Sequence, residues 1–184
     1  LDDCGEFYCV PEDEVAGYSV FATEHSSTTS WGLNNEEEFV WHQLNKSENI
    51  DLPIMSFVAD SKDVYAFTDF CTAPGSRIRK LIESRPHQKL VLRPDSGKPI
   101  RVVTEMLEIM WKNGITRTIL NNKYLFTDFG ILWGDGITPE TTERILIYFT
   151  QHSQDRPLMA AENFIFGSGG DLMQKLDRDT QKFA

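Results

Sequence analysis

Residues 52–59 read LPIMSFVA, a continuous apolar run of strand length, and residues 60–67 read DSKDVYAF. Asp60 or Ser61 is expected to cap a helix that carries Val64, Tyr65 and Phe67, since a short polar side chain ahead of spaced apolar residues marks a helix start. A strand that does not alternate with polar residues is buried on both faces. Strand followed by helix is therefore the unit from which the rest of the chain can be read.

The unit recurs three times. Lys89–Leu92 forms a short strand that ends in RPDSG (93–97), and Pro99 opens a helix with Ile100, Val103, Leu107 and Met110 on its apolar face, stopped at Gly114. Phe129–Trp133 is a strand ending in Gly134-Asp135-Gly136. Thr138 then caps a helix with Pro139 as its first residue, running to about Phe149. Asn163–Phe166 is a strand ending in GSGG (167–170), after which Leu172, Met173 and Leu176 mark a helix. Two more helices are expected, at Asn35–Lys46, acidic in its first turn as the helix dipole prefers, and at Ser76–Ser84. Tyr18, Val20 and Phe21 suggest an additional strand at the start. Fully apolar strands alternating with helices imply an α/β fold with a parallel sheet, whose functional face is the C-terminal end of the strands.

Composition narrows the function. With 184 residues, 12 Phe and 4 Trp the chain can build a core, and a net charge of −10 argues against a broad nucleic-acid or anionic-membrane surface. No apolar run approaches the roughly 20 residues that span a bilayer, and no basic-then-apolar signal opens the chain. Cys4, Cys9 and Cys71 form no CxxC pair and are odd in number, which suits reduced thiols in a cytoplasmic protein and supports no metal site.

Every reactive group falls just after a strand. GSGG ahead of a helix suits a phosphate cradle, since glycines let backbone N–H groups approach an anion; the same residues also suit a plain tight turn. In RPDSG, Arg93 can grip a phosphate or an amide carbonyl and Asp95 can accept from sugar hydroxyls, while Asp95 or Ser96 could equally cap the next helix. GDG is a weaker signal, and Asp135 equally suits a residue that only shapes a loop. At the end of the first strand, Glu24-His25 sets an imidazole beside carboxylates, the arrangement of a base or of a nucleophile that accepts a phosphoryl group, with a structural histidine as the plain alternative. His42, His87 and His152 read as surface residues without partners.

Taken in order, GYSVFATEHSS (17–27), SFVADSKDVY (56–65), LVLRPDSGKP (90–99), WGDG (133–136) and FIFGSGGDLMQKLDRD (164–179) resemble the nicotinamide phosphoribosyltransferases, a type II phosphoribosyltransferase family. The resemblance implies an irregular, TIM-like α/β barrel, incomplete at both ends here: an acidic irregular segment at 1–16 and a partial barrel domain at 17–184. It implies joining nicotinamide to phosphoribosyl pyrophosphate, with Mg2+ accompanying pyrophosphate or ATP, and ATP-dependent phosphorylation of an active-site histidine. That histidine would be His25, with Glu24 beside it and Asp60 orienting the ring. Ser56 and Arg93 would contact the nicotinamide amide, Asp95 the ribose hydroxyls, Gly134 and Asp135 the ribose, Gly169 and Gly170 the 5′-phosphate, and Arg178 the phosphate region. A cytoplasmic homodimer, or a complementing chain supplying the rest of the barrel, would be the assembly.

The family's usual wording is GYSVPAAEHS, IRPDSGNP and FGSGGGLLQKLTRD, so Phe21, Thr23, Asp171 and Asp177 depart from its Pro, Ala, Gly and Thr. A carboxylate at Asp171 would weaken anion binding if it faced the phosphate, or suit a helix N-terminus if it faced away. A full α/β barrel takes about 250 residues, so the expectation is a fragment or one piece of a split enzyme. A nicotinate-specific relative and a non-catalytic truncated paralogue are the competing readings.

Overall fold

The computed structural model describes residues 19–151 and 157–167, together with the backbone at Leu176–Asp177 and Lys182–Phe183. Its centre is an open parallel sheet of β1 (Phe21–Ala22), β2 (Ile54–Val58), β3 (Lys89–Arg93), β6 (Phe129–Trp133) and β7 (Phe164–Phe166), in that order. Register runs Ala22 to Ser56, Ser56 to Val91, Val91 to Gly130 and Leu132 to Ile165. Among the described residues the sheet does not close; it is an α/β arrangement consistent with part of a type II phosphoribosyltransferase barrel.

Helices α1 (His25–Ser30), α2 (Glu36–Asn45), α3 (Val64–Thr72), α4 (Arg77–Glu83), α5 (Pro99–Lys112) and α6 (Pro139–Gln151) connect the strands. One strand parity, Met55, Phe57, Leu90, Leu92, Phe129, Ile131 and Trp133, joins helix residues such as Phe39, Phe67, Val103, Met106 and Phe149 in a single core. The other parity, Ser56, Val58, Val91 and Leu132, is buried as well, as expected for strands that carry apolar residues at nearly every position. Helix α5 contributes the fully enclosed Met106 and Met110, each stabilising by about 1.5–3 kcal/mol.

Several expectations shift on contact with the structure. The cap of α3 is Asp63, whose Oδ1 accepts from Tyr65 and Ala66 N–H at 2.9 and 3.1 Å, so Asp60 and Ser61 are not caps and stay in the loop above β2. Residues 25–30, given no element in the sequence reading, form a short helix, and Asn163, expected as the first residue of a strand, closes a 3-10 turn ahead of β7. An antiparallel hairpin of β4 (Arg117–Leu120) and β5 (Lys123–Phe126), absent from the strand-then-helix reading, turns at Asn121 and Asn122 with φ of 49° and 60°. Asparagine is among the few side chains that tolerate this left-handed region, and two such residues suit a type I′ turn. Of the helix expected around Leu172, Met173 and Leu176, the first two residues lie outside the described residues, and Leu176 stands in β8 (Leu176–Asp177), which pairs antiparallel with β9 (Lys182–Phe183). The 1–16 segment, Cys4, Cys9 and His152 lie outside the described residues.

His42 and His87 are exposed but not without partners: the His42 ring lies 4.9 Å from that of Trp31, and His87 Nε2 is 3.1 Å from the Ile50 carbonyl. Cys71 is a free buried thiol, and burial pushes its pKa well up, away from thiolate reactivity. No described helix is long and apolar enough to cross a membrane.

Candidate active site

Parallel register brings the C-terminal ends of β1, β2, β3, β6 and β7 to one rim. At β1 the chain leaves the ladder after Thr23, and Glu24 becomes the N-cap of α1. Ser27 holds that junction, accepting from Glu24 N–H at 3.2 Å and donating to the Glu24 carbonyl at 2.7 Å. His25, first residue of α1, is thereby set over the loop that follows β2.

The imidazole has two different sides. Nδ1 lies 3.0 Å from the Ser61 hydroxyl, while Nε2 lies 3.5 Å from Asp60 Oδ1 and 4.0 Å from Asp95 Oδ2. With the ring proton on Nε2, facing the carboxylates, Nδ1 presents a lone pair toward the hydroxyl. The His25 side chain is 43% exposed, whereas Asp60 is 8% exposed and fixed. Asp60 Oδ2 accepts from Asp95 N–H at 2.9 Å and from the Ser96 hydroxyl, which ties the β2 loop to the β3 loop. Gly97 completes that β3 loop with φ of +91°, a conformation that L side chains rarely adopt, and a Cβ there would press on Val102 at 3.0 Å.

Arg93 ends β3 with its side chain 14% exposed. One terminal nitrogen donates to the Thr23 carbonyl at 2.6 Å and stands 3.5 Å from Glu24 Oε1. Gly134 abuts Asp95: a Cβ added there would lie 3.5 Å from Asp95 Oδ1. Asp135 is exposed, and its carbonyl accepts from the Trp133 indole at 2.7 Å. Gly167 sits beside Gly134, with its N–H donating to the Trp133 carbonyl at 2.9 Å.

The sequence-predicted residues Glu24, His25, Asp60, Arg93, Asp95 and Gly134 thus form a contiguous rim, with Ser56 one strand residue below in β2. Gly169, Gly170 and Arg178 lie outside the described residues. Sequence reasoning missed the parts played by Ser61, Ser96 and Thr23. Ser61 had been assigned to helix capping, and the carboxylate at Asp63, the better-placed cap, was the signal that would have released it.

Burial exposes a further property of the rim. Among the described residues, the buried side-chain atoms lacking a hydrogen-bond partner are Glu36 Oε1, Ser56 Oγ, Asp60 Oδ1 and Arg93 Nε. Three of the four lie on or just after β2 and β3. Native proteins pair nearly all such atoms, so this clustering of a donor, an acceptor and a hydroxyl marks a place prepared for a polar ligand. Two surface cavities, of about 370 and 770 Å³, lie between α5 and α6 against Ile100, Arg144 and Tyr148, away from this chemistry. Among the described residues, no three His, Cys, Asp or Glu side chains converge as a metal cage.

Similar proteins match the chain across most of its length. The profile of the nicotinate phosphoribosyltransferase (NAPRTase) family matches residues 6–184. A protein of Xanthomonas campestris pv. campestris named nicotinamide phosphoribosyltransferase is 37% identical over 177 residues, covering 92% of this chain and 34% of the relative. Proteins of the same name from Mycoplasma pneumoniae and Acinetobacter baylyi are 29% and 28% identical, covering 92% and 100% of this chain and 38% of each relative. The chain spans little more than a third of the length of these curated relatives.

Proposed function

The chain belongs to the nicotinate phosphoribosyltransferase family, and on that premise we propose that its rim is the phosphoribosyl-transfer site of an enzyme joining nicotinamide to phosphoribosyl pyrophosphate. The products are nicotinamide mononucleotide and pyrophosphate, a step of NAD salvage. The observation that carries this reading is the pair of unpaired buried polar atoms Ser56 Oγ and Arg93 Nε. A pyridine amide offers a carbonyl to Arg93 Nε–H and an amide group to the Ser56 hydroxyl, so the base satisfies atoms that the fold leaves open. The relatives named nicotinamide phosphoribosyltransferase support the amide.

Asp95 accepts from the ribose hydroxyls, and Gly134, lacking a side chain, leaves room for the sugar against it, with Asp135 at the sugar's edge. Gly169, Gly170 and Arg178 are proposed to hold the 5′-phosphate. Transfer passes through a sugar cation, so hydroxyl anchors fixed in advance by the Asp60 bonds to Asp95 and Ser96 lower the barrier without reorganising. Mg2+ is usually bound through one or two carboxylates together with substrate phosphates. The 35%-exposed Asp95 suits that role, and the ion would neutralise the departing pyrophosphate.

His25 is proposed as a phosphoryl acceptor from ATP. Its Nδ1 lone pair attacks the γ-phosphorus, the bond to the bridging oxygen breaks, and ADP leaves; Asp60 and Asp95 hold the ring proton on Nε2 meanwhile. A homodimer or a complementing chain completes the site. The test supplies nicotinamide, phosphoribosyl pyrophosphate, Mg2+ and ATP to the protein, alone and joined to the regions of a full-length relative outside the match. Nicotinamide mononucleotide and an acid-labile phosphate lost in His25→Ala are expected, whereas no product in the joined protein contradicts the reading. A second reading, nicotinate as the base, is favoured by the unpaired Arg93 Nε, which suits a carboxylate too. Faster turnover of nicotinate than of nicotinamide would select it.

A further inference from the structure

Thr23 uses its three polar groups on three different partners, in an exchanged order. In a parallel ladder that pairs Ala22 with Ser56, the N–H of residue 23 donates to the carbonyl of residue 56, and the N–H of residue 58 donates to the carbonyl of residue 23. The first bond is present, Thr23 N–H to Ser56 O at 3.0 Å. The second is replaced: Val58 N–H donates to the Thr23 hydroxyl at 2.9 Å, in a buried setting. The Thr23 carbonyl, released from the ladder, accepts from Arg93 at 2.6 Å instead.

We propose that Thr23 is a positioning residue, whose hydroxyl substitutes for its own carbonyl in the β1–β2 ladder so that the carbonyl can clamp the guanidinium of Arg93. Thr23 is 4% exposed, so water does not replace its hydroxyl. Without it, either Val58 N–H is left unpaired in the interior or the carbonyl swings back to that N–H and lets Arg93 go. The first outcome costs a buried unsatisfied donor, and the second removes the clamp. The clamp matters because it leaves Arg93 Nε facing the site, unpaired and fixed in direction. The usual family wording carries alanine here, so the device belongs to this chain. Its consequence for substrate rests on the proposed function above; the clamp itself does not.

Thr23→Val keeps the shape and removes the hydroxyl, and Thr23→Ser restores the hydroxyl. The first readout is the 15N spectrum of the Arg93 guanidinium in the ligand-free protein, where a clamped terminal nitrogen gives slowly exchanging, separate signals. These are expected in the wild type and Thr23→Ser and lost in Thr23→Val, unless the variant keeps the clamp at the cost of an unpaired Val58 N–H and loses folding stability; unchanged signals in Thr23→Val with unchanged unfolding free energy overturn the proposal. The second readout is KM for nicotinamide in the joined protein, expected to rise about tenfold in Thr23→Val with kcat little changed, and not to rise further when Arg93→Lys is already present. An equal rise in the Arg93→Lys background overturns the proposal by giving Thr23 a role independent of Arg93. If no variant turns over, wild type included, the proposed function fails while the guanidinium spectra still decide the clamp.

Discussion

The two ends of the parallel sheet bury polar side chains to the same depth and treat them in opposite ways. At the N-terminal end, Asn163 is 1% exposed and accepts from Phe126 N–H while donating to the Tyr124 and Ala160 carbonyls. Gln88 donates to the Asn49 and Leu52 carbonyls, and Lys89 reaches the Phe126 and Glu162 carbonyls. At the C-terminal end, Ser56 is 0% exposed with no partner for its hydroxyl, and Asp60 and Arg93 each keep one unpaired atom. Burial alone therefore does not separate scaffold from site; satisfaction does. One end spends its hydrogen-bonding capacity on the fold, and the other holds part of it in reserve for a ligand. Glu36 is the fourth such residue, an unpaired buried carboxylate on α2 that feels Lys62 and Asp63 of the loop after β2.

Removing partners should hurt the first end most. Asn163→Leu strands the Phe126 N–H in the interior and takes one of two donors from each of the Tyr124 and Ala160 carbonyls, and urea unfolding is expected to show a loss of about 2–3 kcal/mol; a loss under 1 kcal/mol would erase the contrast. At the rim, Asp60→Ala frees the imidazole, Asp95 and Ser96 together. Nicotinamide mononucleotide formation in the joined protein is expected to fall about 100-fold, with a smaller loss of stability than Asn163→Leu, which unfolding curves of both variants compare.

Titration separates the ends more gently. Burial holds the Lys89 ammonium below the usual lysine range of 10.5, with Asp128 and Glu162 opposing it. Between the lowered folded value and 10.5 the unfolded chain carries the proton and the folded one does not, so this group makes stability rise with pH in that window. Lys89→Met should flatten that rise in a pH series of unfolding curves. Glu36 has the opposite sign. Burial raises its carboxyl pKa above 4.5, so its contribution is fully present below pH 4.5 and is lost as pH rises through the folded value. Glu36→Gln should therefore stabilise the protein at neutral pH and not below pH 4.5.

Much of this was legible in the residues. The runs at 52–59, 89–92 and 129–133 carry no competing signal, so strand type and a parallel sheet followed, and Pro99 and Pro139 fixed two helix starts. His25, Asp60, Arg93 and Asp95 could be named because each lies at or just beyond the end of a strand. What escaped depended on choices among equivalent local partners. Asp60, Ser61 and Asp63 all suit an N-cap, and only packing decides that Asp63 takes it and leaves Ser61 to His25. The 117–126 hairpin was hidden because Asn121-Asn122 lacks the glycine that usually announces a tight turn. The Thr23 exchange was invisible because it depends on where the chain leaves the ladder.

Ser56→Ala tests the central contrast most directly, through its unfolding free energy without ligand and the increment added by saturating nicotinamide mononucleotide. A hydroxyl held for a ligand contributes nothing to the empty fold, so the ligand-free stability should stay equal or rise by up to about 1 kcal/mol, and the ligand increment should shrink. A drop of about 2 kcal/mol in the ligand-free protein with the increment unchanged would make Ser56 part of the scaffold and contradict the account.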